Sequence, residues 1–140
     1  MFAFICLYVR IDVQARENMF KLGLKDTPNT LSDINFSQLS ENTDGFSGAD
    51  ICILVRDATM EPVRNIQSAT HFNLDSEGFY TPCNPDAPDA KEITWTDLPC
   101  DKLKPRRVTM KDLTTCLSRA KPSVSDADLA KFEIFKEKAI

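Results

Sequence analysis

Glycine is scarce in this chain, with four in 140 residues, at positions 23, 45, 48 and 78. That excludes a Gly-x-x-x-x-Gly-Lys phosphate loop and a glycine-rich dinucleotide turn, which need closely spaced glycines to bring backbone against phosphate. The one histidine, His71, has no serine or cysteine at the spacing of a nucleophile and its base, which argues against a nucleophilic triad. Long apolar runs are missing too. The most apolar stretch, MFAFICLYVRI at residues 1–11, is too short to span a bilayer and lacks the basic start and cleavage pattern of a secretory signal. It reads either as a short buried strand or as a segment outside the domain. The five cysteines, Cys6, Cys52, Cys83, Cys100 and Cys116, include no Cys-x-x-Cys pair. An odd number without framework spacing fits free thiols in a reducing compartment, and His71, Cys83 and Cys100 are too scattered to read as zinc ligands. A net charge of −4 argues against a nucleic-acid binder, which would need a basic face.

What is present is the composition of an ordinary globular domain, 42% hydrophobic and 27% charged, long enough for one real core. The charge is uneven. Residues 1–70 carry 6 basic and 9 acidic side chains, residues 71–100 carry 1 and 6, and residues 101–140 carry 10 and 6. The balances of −3, −5 and +4 mark an acidic insert between two helical regions.

Asp12 to Leu24 reads as a helix with Val13, Ala15, Arg16, Met19 and Phe20 on one side, ended by Gly23 and Thr27-Pro28. A second helix is capped by Ser32, with Ile34, Phe36 and Leu39 inward, and Asn42-Thr43-Asp44-Gly45 makes the turn after it. The strongest pattern is Thr43 to Phe72, which reads as one long helix. Ile51, Leu54, Val55, Ala58, Pro62 and Ile66 form its apolar stripe, and Pro62 should bend it near Ala58. Ser47 and Asp50 have the spacing of a capping box. From His71 the pattern changes: Pro82, Pro85, Pro88 and Pro99 forbid a regular helix, while Ile93-Thr94-Trp95-Thr96 alternates with period two. Two or three short strands are expected there. Helices resume with Thr109 capping Met110 to Ala120, Leu113, Cys116 and Leu117 facing inward. Ser125 with Asp128 then opens a last helix carrying Leu129, Phe132 and Phe135.

Nothing in this inventory does chemistry unaided. Asp and Glu lie at helix starts or on polar faces, where structural roles suffice. Tyr80 and Trp95 read as the small core of the insert, and Lys102, Lys104, Arg106 and Arg107 as a solvated face. Ser47-Gly48-Ala49-Asp50 reads first as a helix cap. A second reading stands beside it: Gly48 and Ala49 are small, and first-turn amides point outward, so another molecule can approach the backbone there. The residue pattern leaves both open.

The stretch GFSGADICILVRDATMEPVRNIQSATHF, together with ARENMF, DTP, TPCNP, EITWTDLP, DKLKP and KPSVSDADL in the same order, resembles the vacuolar protein sorting-associated protein 4 type of AAA ATPase, which dismantles ESCRT-III polymers. The likeness spans roughly residues 12–138, and the run from Gln67 to Phe72 is highly specific. Related microtubule-severing AAA ATPases share the Ser-Gly-Ala-Asp start but lack the β-insert. The resemblance implies a mainly α fold: lid helices over 12–70, a β-insert over 71–104, and the remaining lid helix with a C-terminal helix over 105–140, after an unmatched segment 1–11. It implies that the phosphate loop, the acidic metal-binding motif and the arginine fingers belong to a large domain upstream, where ATP and Mg are held. This chain alone is then expected to hold no nucleotide tightly and to hydrolyse nothing. By the same resemblance Met19 packs near the adenine, Gly48 and Ala49 close over base and ribose, and Asp50 occupies the second-sensor region. Asp89, Ala90, Lys91 and Glu92 fall where the family binds a cofactor protein. Further partners implied are neighbouring AAA subunits in a ring and ESCRT-III subunits, with no nucleic acid and no membrane span. The implied location is cytoplasmic, with peripheral recruitment to endosomal membranes. The chain departs from the family in three places. CLYVRI stands where Ile-Tyr-Ile-Pro-Leu-Pro is usual, Pro88-Asp89-Ala90-Lys91 replaces Pro-Gly-Ala plus an aliphatic residue, and Ala139-Ile140 replaces Phe-Gly. Two other readings compete: a free-standing helical interaction module without a motor, and the lid of a severing ATPase.

Overall fold

The computed structural model describes residues 11–122. The last helix expected from Ser125, with Leu129, Phe132 and Phe135, lies outside them, as do Cys6 and nearly all of the 1–11 segment. The described residues form four α-helices and a three-stranded antiparallel sheet: α1 (Val13–Gly23), α2 (Asp33–Asn42), α3 (Gly48–Ser68), β1 (His71–Leu74), β2 (Tyr80–Pro82), β3 (Lys91–Glu92) and α4 (Met110–Arg119). Two 3-10 turns, Trp95–Asp97 and Cys100–Lys102, lie between β3 and α4.

The helices start where short polar side chains can satisfy the open amides of a first turn. Asp12 accepts from the Ala15 amide at 2.7 Å. Capping boxes pair Ser32 with Asn35, Ser47 with Asp50, and Thr109 with Asp112. Gly45 takes φ 81° in the turn before α3, a backbone that L side chains rarely adopt.

Helix packing produces the main core of Phe20, Leu24, Phe36, Leu39, Phe46, Ile51, Leu54, Val55, Ala58, Val108, Leu113 and Cys116. The whole stripe expected of α3 is buried, Pro62 and Ile66 included. Each large side chain taken wholly from water, such as Phe20 or Leu113, contributes about 1.5–3 kcal/mol. Two inward assignments fail. Ile34 is 70% exposed and Val13 47% exposed. The buried face of α2 is Phe36, Leu39, Ser40 and Thr43, and Ile34 lies two residues, about 200°, away from Phe36 around the helix. On α1 the buried face is Arg16 and Phe20, with Met19 half-buried, and Val13 sits outside it.

The long helix also stops earlier than its sequence suggests, at Ser68 and not Phe72. The Ala69 amide closes the last turn onto the Asn65 and Ile66 carbonyls, and the chain then runs extended so that Phe72 can be buried completely in a second core with Ile66 and Leu98. Strand order is β2-β1-β3, with Phe72 opposite Pro82 on one side and Lys91 on the other. The period-two run Ile93–Thr96 is not a strand. Ile93 makes the last ladder-like bond, to the Thr70 carbonyl, and Thr94 Oγ1 then donates to the Asp97 carboxylate at 2.8 Å. With the Asp97 amide bonded to the Thr94 carbonyl, that pair folds the segment into the 3-10 turn. Trp95 is left 38% exposed outside the second core, whereas Tyr80 packs against it as expected.

The chain returns to the bundle through paired backbone. Lys104 donates to the Tyr80 carbonyl, and Val108 exchanges bonds with Pro28 and Thr30 on the loop after α1. Arg106 then holds the buried Asp112 with two bonds of 2.7 Å. Burial pushes the Asp112 carboxyl up, but the Arg106 guanidinium and the Thr109 amide and hydroxyl outweigh it and hold the carboxyl below the ordinary carboxylate range.

A carboxyl depressed by folding contributes stability that is complete above its unfolded pKa, about 4, and is lost as pH falls through the lower folded value. Asp112→Asn should therefore cost about 1–2 kcal/mol at pH 7, the scale of a lost cap. Urea melts repeated at falling pH should show the wild-type advantage shrinking below about pH 4.

Candidate functional site

The site candidates fall on two parts of the fold. The first is the start of α3. Ser47 Oγ accepts from the Asp50 amide at 3.2 Å, and the Asp50 carboxylate accepts from the Ser47 amide at 3.0 Å. Ser47, Gly48 and Asp50 are buried and Ala49 is half-buried. The box uses the amides of Ser47 and Asp50, leaving Gly48 and Ala49 as the small first-turn residues that flank no bulky side chain of their own. Met19 stands on the neighbouring helix α1 and packs against the same core that holds Phe46 and Ile51. The cap reading of Ser47–Asp50 is thus a fact of the structure, and it leaves an end of α3 built from small groups.

A residue missed in the sequence braces this end. Arg16, read there only as part of an apolar face, is 5% exposed. Its Nε donates to the Ser40 carbonyl at 2.9 Å and a terminal nitrogen donates to the Ile11 carbonyl at 2.6 Å. It also lies 3.8 Å from the Asp44 carboxylate in the turn before α3. One guanidinium therefore joins the chain entering α1, the end of α2 and the approach to α3. A cation inside an apolar stripe was the available signal, since a buried charge must find partners.

The second part is the outer edge of the insert. Asp89 and Ala90 end a turn closed by the Ala90 amide on the Ala87 carbonyl, and Lys91 and Glu92 form β3, exposed and paired only to His71 and Phe72. Asp89 has φ 61°, the left-handed region. Aspartate tolerates that backbone better than most residues, so the turn takes a glycine-like course although the glycine usual in the resembling family is replaced.

Among the described residues no group of three or more His, Cys, Asp or Glu side chains is placed to hold a metal ion. His71 Nδ1 instead lies 2.8 Å from the Thr70 hydroxyl. Nor is any described helix long and apolar enough to cross a membrane. The basic run splits up: Lys104 pairs with Glu77 and lies over the Phe79 ring, and Arg106 is spent on Asp112. Cys52, Cys83, Cys100 and Cys116 are free thiols. Cys116 is buried, and burial with a hydrogen bond to Asp57 pushes its thiol up to about 12.

Comparison with known proteins adds the following. A family profile described as an AAA+ lid domain matches residues 33–76, and one described as the Vps4 C terminal oligomerisation domain matches residues 80–139. The chain is 47% identical over 134 residues to vacuolar protein sorting-associated protein 4B of Pongo abelii, covering 88% of this chain and 30% of that protein. It is 43% identical over 134 residues to protein 4A of Homo sapiens, covering 88% and 31%. The chain therefore spans about a third of the length of these relatives. Among solved structures, a crystal structure of Vps4 and Vta1 matches with TM-score 0.67 at 35% identity, covering 80% of this chain and 100% of that one. The FIGL-1 AAA domain bound to ADP matches with TM-score 0.61 at 24% identity, covering 92% and 35%, a likeness of fold alone.

Thiol reactivity checks the arrangement of the cysteines. With a chromogenic disulfide reagent at pH 8, Cys52 and Cys100 should react first and Cys83 more slowly. Cys116 should react only after denaturant is added, because a thiol held near 12 presents almost no thiolate. Peptide mapping of the label at successive times reads this order directly.

Proposed function

Since the chain belongs to the vacuolar protein sorting-associated protein 4 family, matched over its AAA+ lid and C-terminal oligomerisation domains, we propose that it is the lid and partner-binding part of an ATP-driven machine that disassembles ESCRT-III filaments in endosomal sorting. The observation that carries this reading is the order of the two profiles along one chain, a lid followed directly by the oligomerisation domain. In this reading residues 12–70 are the lid helices, 71–104 the insert, and 105–140 the remaining lid helix and its C-terminal continuation.

The nucleotide, ATP with Mg, is held by a preceding domain, and the start of α3 closes over it. Gly48 and Ala49 let backbone lie flat against base and ribose. Asp50 keeps that turn in shape through the box with Ser47, and Met19 presents a thioether to the adenine. The residues present fit such a role: the turn is small, buried and rigidly capped. They offer no base and no phosphate cradle, so the chemistry belongs to the phosphate-binding domain. The lid transmits nucleotide state to neighbouring subunits of a ring by domain-scale closure. The crystal structure of Vps4 with Vta1 supports a cofactor protein as a partner, and in this reading that protein docks on the edge at Asp89, Ala90, Lys91 and Glu92. The machine works in the cytoplasm and reaches endosomal membranes peripherally.

This chain alone should neither turn over ATP nor bind it at micromolar concentration with Mg, since phosphoryl transfer needs the phosphate cradle and metal site that these residues do not build. Calorimetry on the purified chain checks that. In a protein extended through the preceding domain, Gly48→Leu should lower nucleotide affinity or turnover roughly tenfold by crowding the closed lid, an effect of about 1.4 kcal/mol. Wild-type values for both would remove Gly48 from the site.

Replacing residues 71–103 with a short linker should leave most helical circular dichroism intact, because the main core draws no residue from that span. Binding to the cofactor protein should vanish. Undiminished binding would move the docking surface to the helices.

A further inference from the structure

Arg106-Arg107-Val108-Thr109-Met110 places two arginines three and two residues ahead of a threonine, with a large apolar side chain directly after it. That order is the charge pattern by which arginine-directed Ser/Thr kinases select a hydroxyl, since acidic subsites on the enzyme receive the two guanidinium groups. The fold presents the pattern in usable form. Residues 103–109 run between the second 3-10 turn and α4 without helix or strand, apart from single bridges at Leu103 and Val108. Both arginines are exposed, and Thr109 is half-buried. Thr59 has an arginine, Arg56, at the same distance ahead. It lies in the middle of α3, however, with its hydroxyl bonded to the Arg56 carbonyl, so no extended segment is offered there.

The same hydroxyl closes the first turn of α4. Thr109 Oγ1 donates to Asp112 Oδ2 at 3.1 Å and the Thr109 amide donates to that oxygen at 2.8 Å. Arg106 holds both oxygens of the carboxylate at 2.7 Å. Asp112 is 5% exposed. Val108, next to Thr109, is buried, with its backbone bonded to Pro28 and Thr30. One small box therefore ties the chain that leaves the insert to the helical bundle.

We propose that Thr109 is a phosphorylation site for an arginine-directed Ser/Thr kinase, and that its phosphate releases the box that ties the insert to the bundle. The γ-phosphoryl group of ATP passes to Thr109 Oγ1 as the bond from its phosphorus to the bridging oxygen of ADP breaks. The hydroxyl proton goes to the kinase's catalytic base. Oγ1 then has no proton to donate to Asp112, and about 1.5–2 negative charges stand beside a buried carboxylate. Arg106 already lies in this cluster, and three phosphate oxygens compete with Asp112 for it. A helix N-terminus favours an anion, but here one is in place and a second repels it. Asp112 is left buried without its cation, so the first turn of α4 and the pairing of Val108 with the loop after α1 open together.

Incubating the folded 140-residue chain with Mg-ATP and the catalytic subunit of cyclic-AMP-dependent protein kinase, followed by peptide mapping, tests the site. One phosphate should be found, on Thr109. Arg107→Ala changes an exposed side chain outside the box, and it should lower the kinase's kcat/KM roughly tenfold, the scale of one lost charge-assisted contact. In the phosphorylated chain the Val108 and Leu113 amides should exchange with solvent roughly tenfold faster or more, while those of α1 and α2 exchange as before. No phosphate on Thr109 of the folded chain, phosphate on Thr59 in its place, or a rate indifferent to Arg107 overturns the site. Stoichiometric phosphate on Thr109 with unaltered exchange overturns the release.

Discussion

Helix α3 belongs to two cores at once, and the rest of the architecture follows from that. Ile51, Leu54, Val55 and Ala58 lie in the main core with α1, α2 and α4, while Ile66, two turns beyond Ala58, packs with Phe72 and Leu98 under the insert. A single rigid element therefore sets the position of the sheet relative to the bundle. Its two ends are fixed by different means. The first turn is locked by the reciprocal bonds of Ser47 and Asp50, and the last is pulled over into extended backbone because Phe72 must be buried. Pro62 sits inside this beam, its side chain buried, at the passage between the two cores.

The functional reading depends on the same rigidity. The end of α3 assigned to the nucleotide and the insert assigned to a cofactor protein are opposite ends of one 21-residue helix. In that reading a tilt imposed at Gly48 and Ala49 would reach β1 through only the two residues Ala69 and Thr70. Arg16 adds a second constraint, since its guanidinium holds the entering chain, the end of α2 and the turn before α3 in one place. In the proposed role a lid braced this way would move as a body, as a part that reports nucleotide state to its surroundings should.

How much of this was legible depended on whether a single local rule decided each element. The α3 stripe was readable in full because six positions at helical spacing all face the bundle or the insert. The Ser47–Asp50 capping box was readable because it is contained within four residues, whereas Ser32 and Thr109 were read only as caps and their partners Asn35 and Asp112 emerged from the structure. Ile34 was misassigned because hydrophobicity alone was weighed, whereas the face of α2 is fixed by Phe36, Leu39 and the buried hydroxyl of Thr43 bonded to the Leu39 carbonyl. The alternation at Ile93–Thr96 suggested a strand, but the Thr94–Asp97 side-chain bond makes a turn, and period two says nothing about such bonds. Arg16 escaped because its partners belong to elements distant in sequence, and a charge in an apolar stripe acquires meaning only when its neighbours are known. The lid identity came from a different source, the specific run of residues from Gln67 to Phe72, which no physical rule would have singled out.

The central claim is that the start of α3 lies over a nucleotide bound by a preceding domain. Photolabelling of a protein extended through that domain with an azido-adenine nucleotide, followed by peptide sequencing, tests it most directly. The account requires label on Met19 or within residues 47–50, competed away by unmodified ATP. Label confined to the preceding domain, or found on the insert, would contradict it.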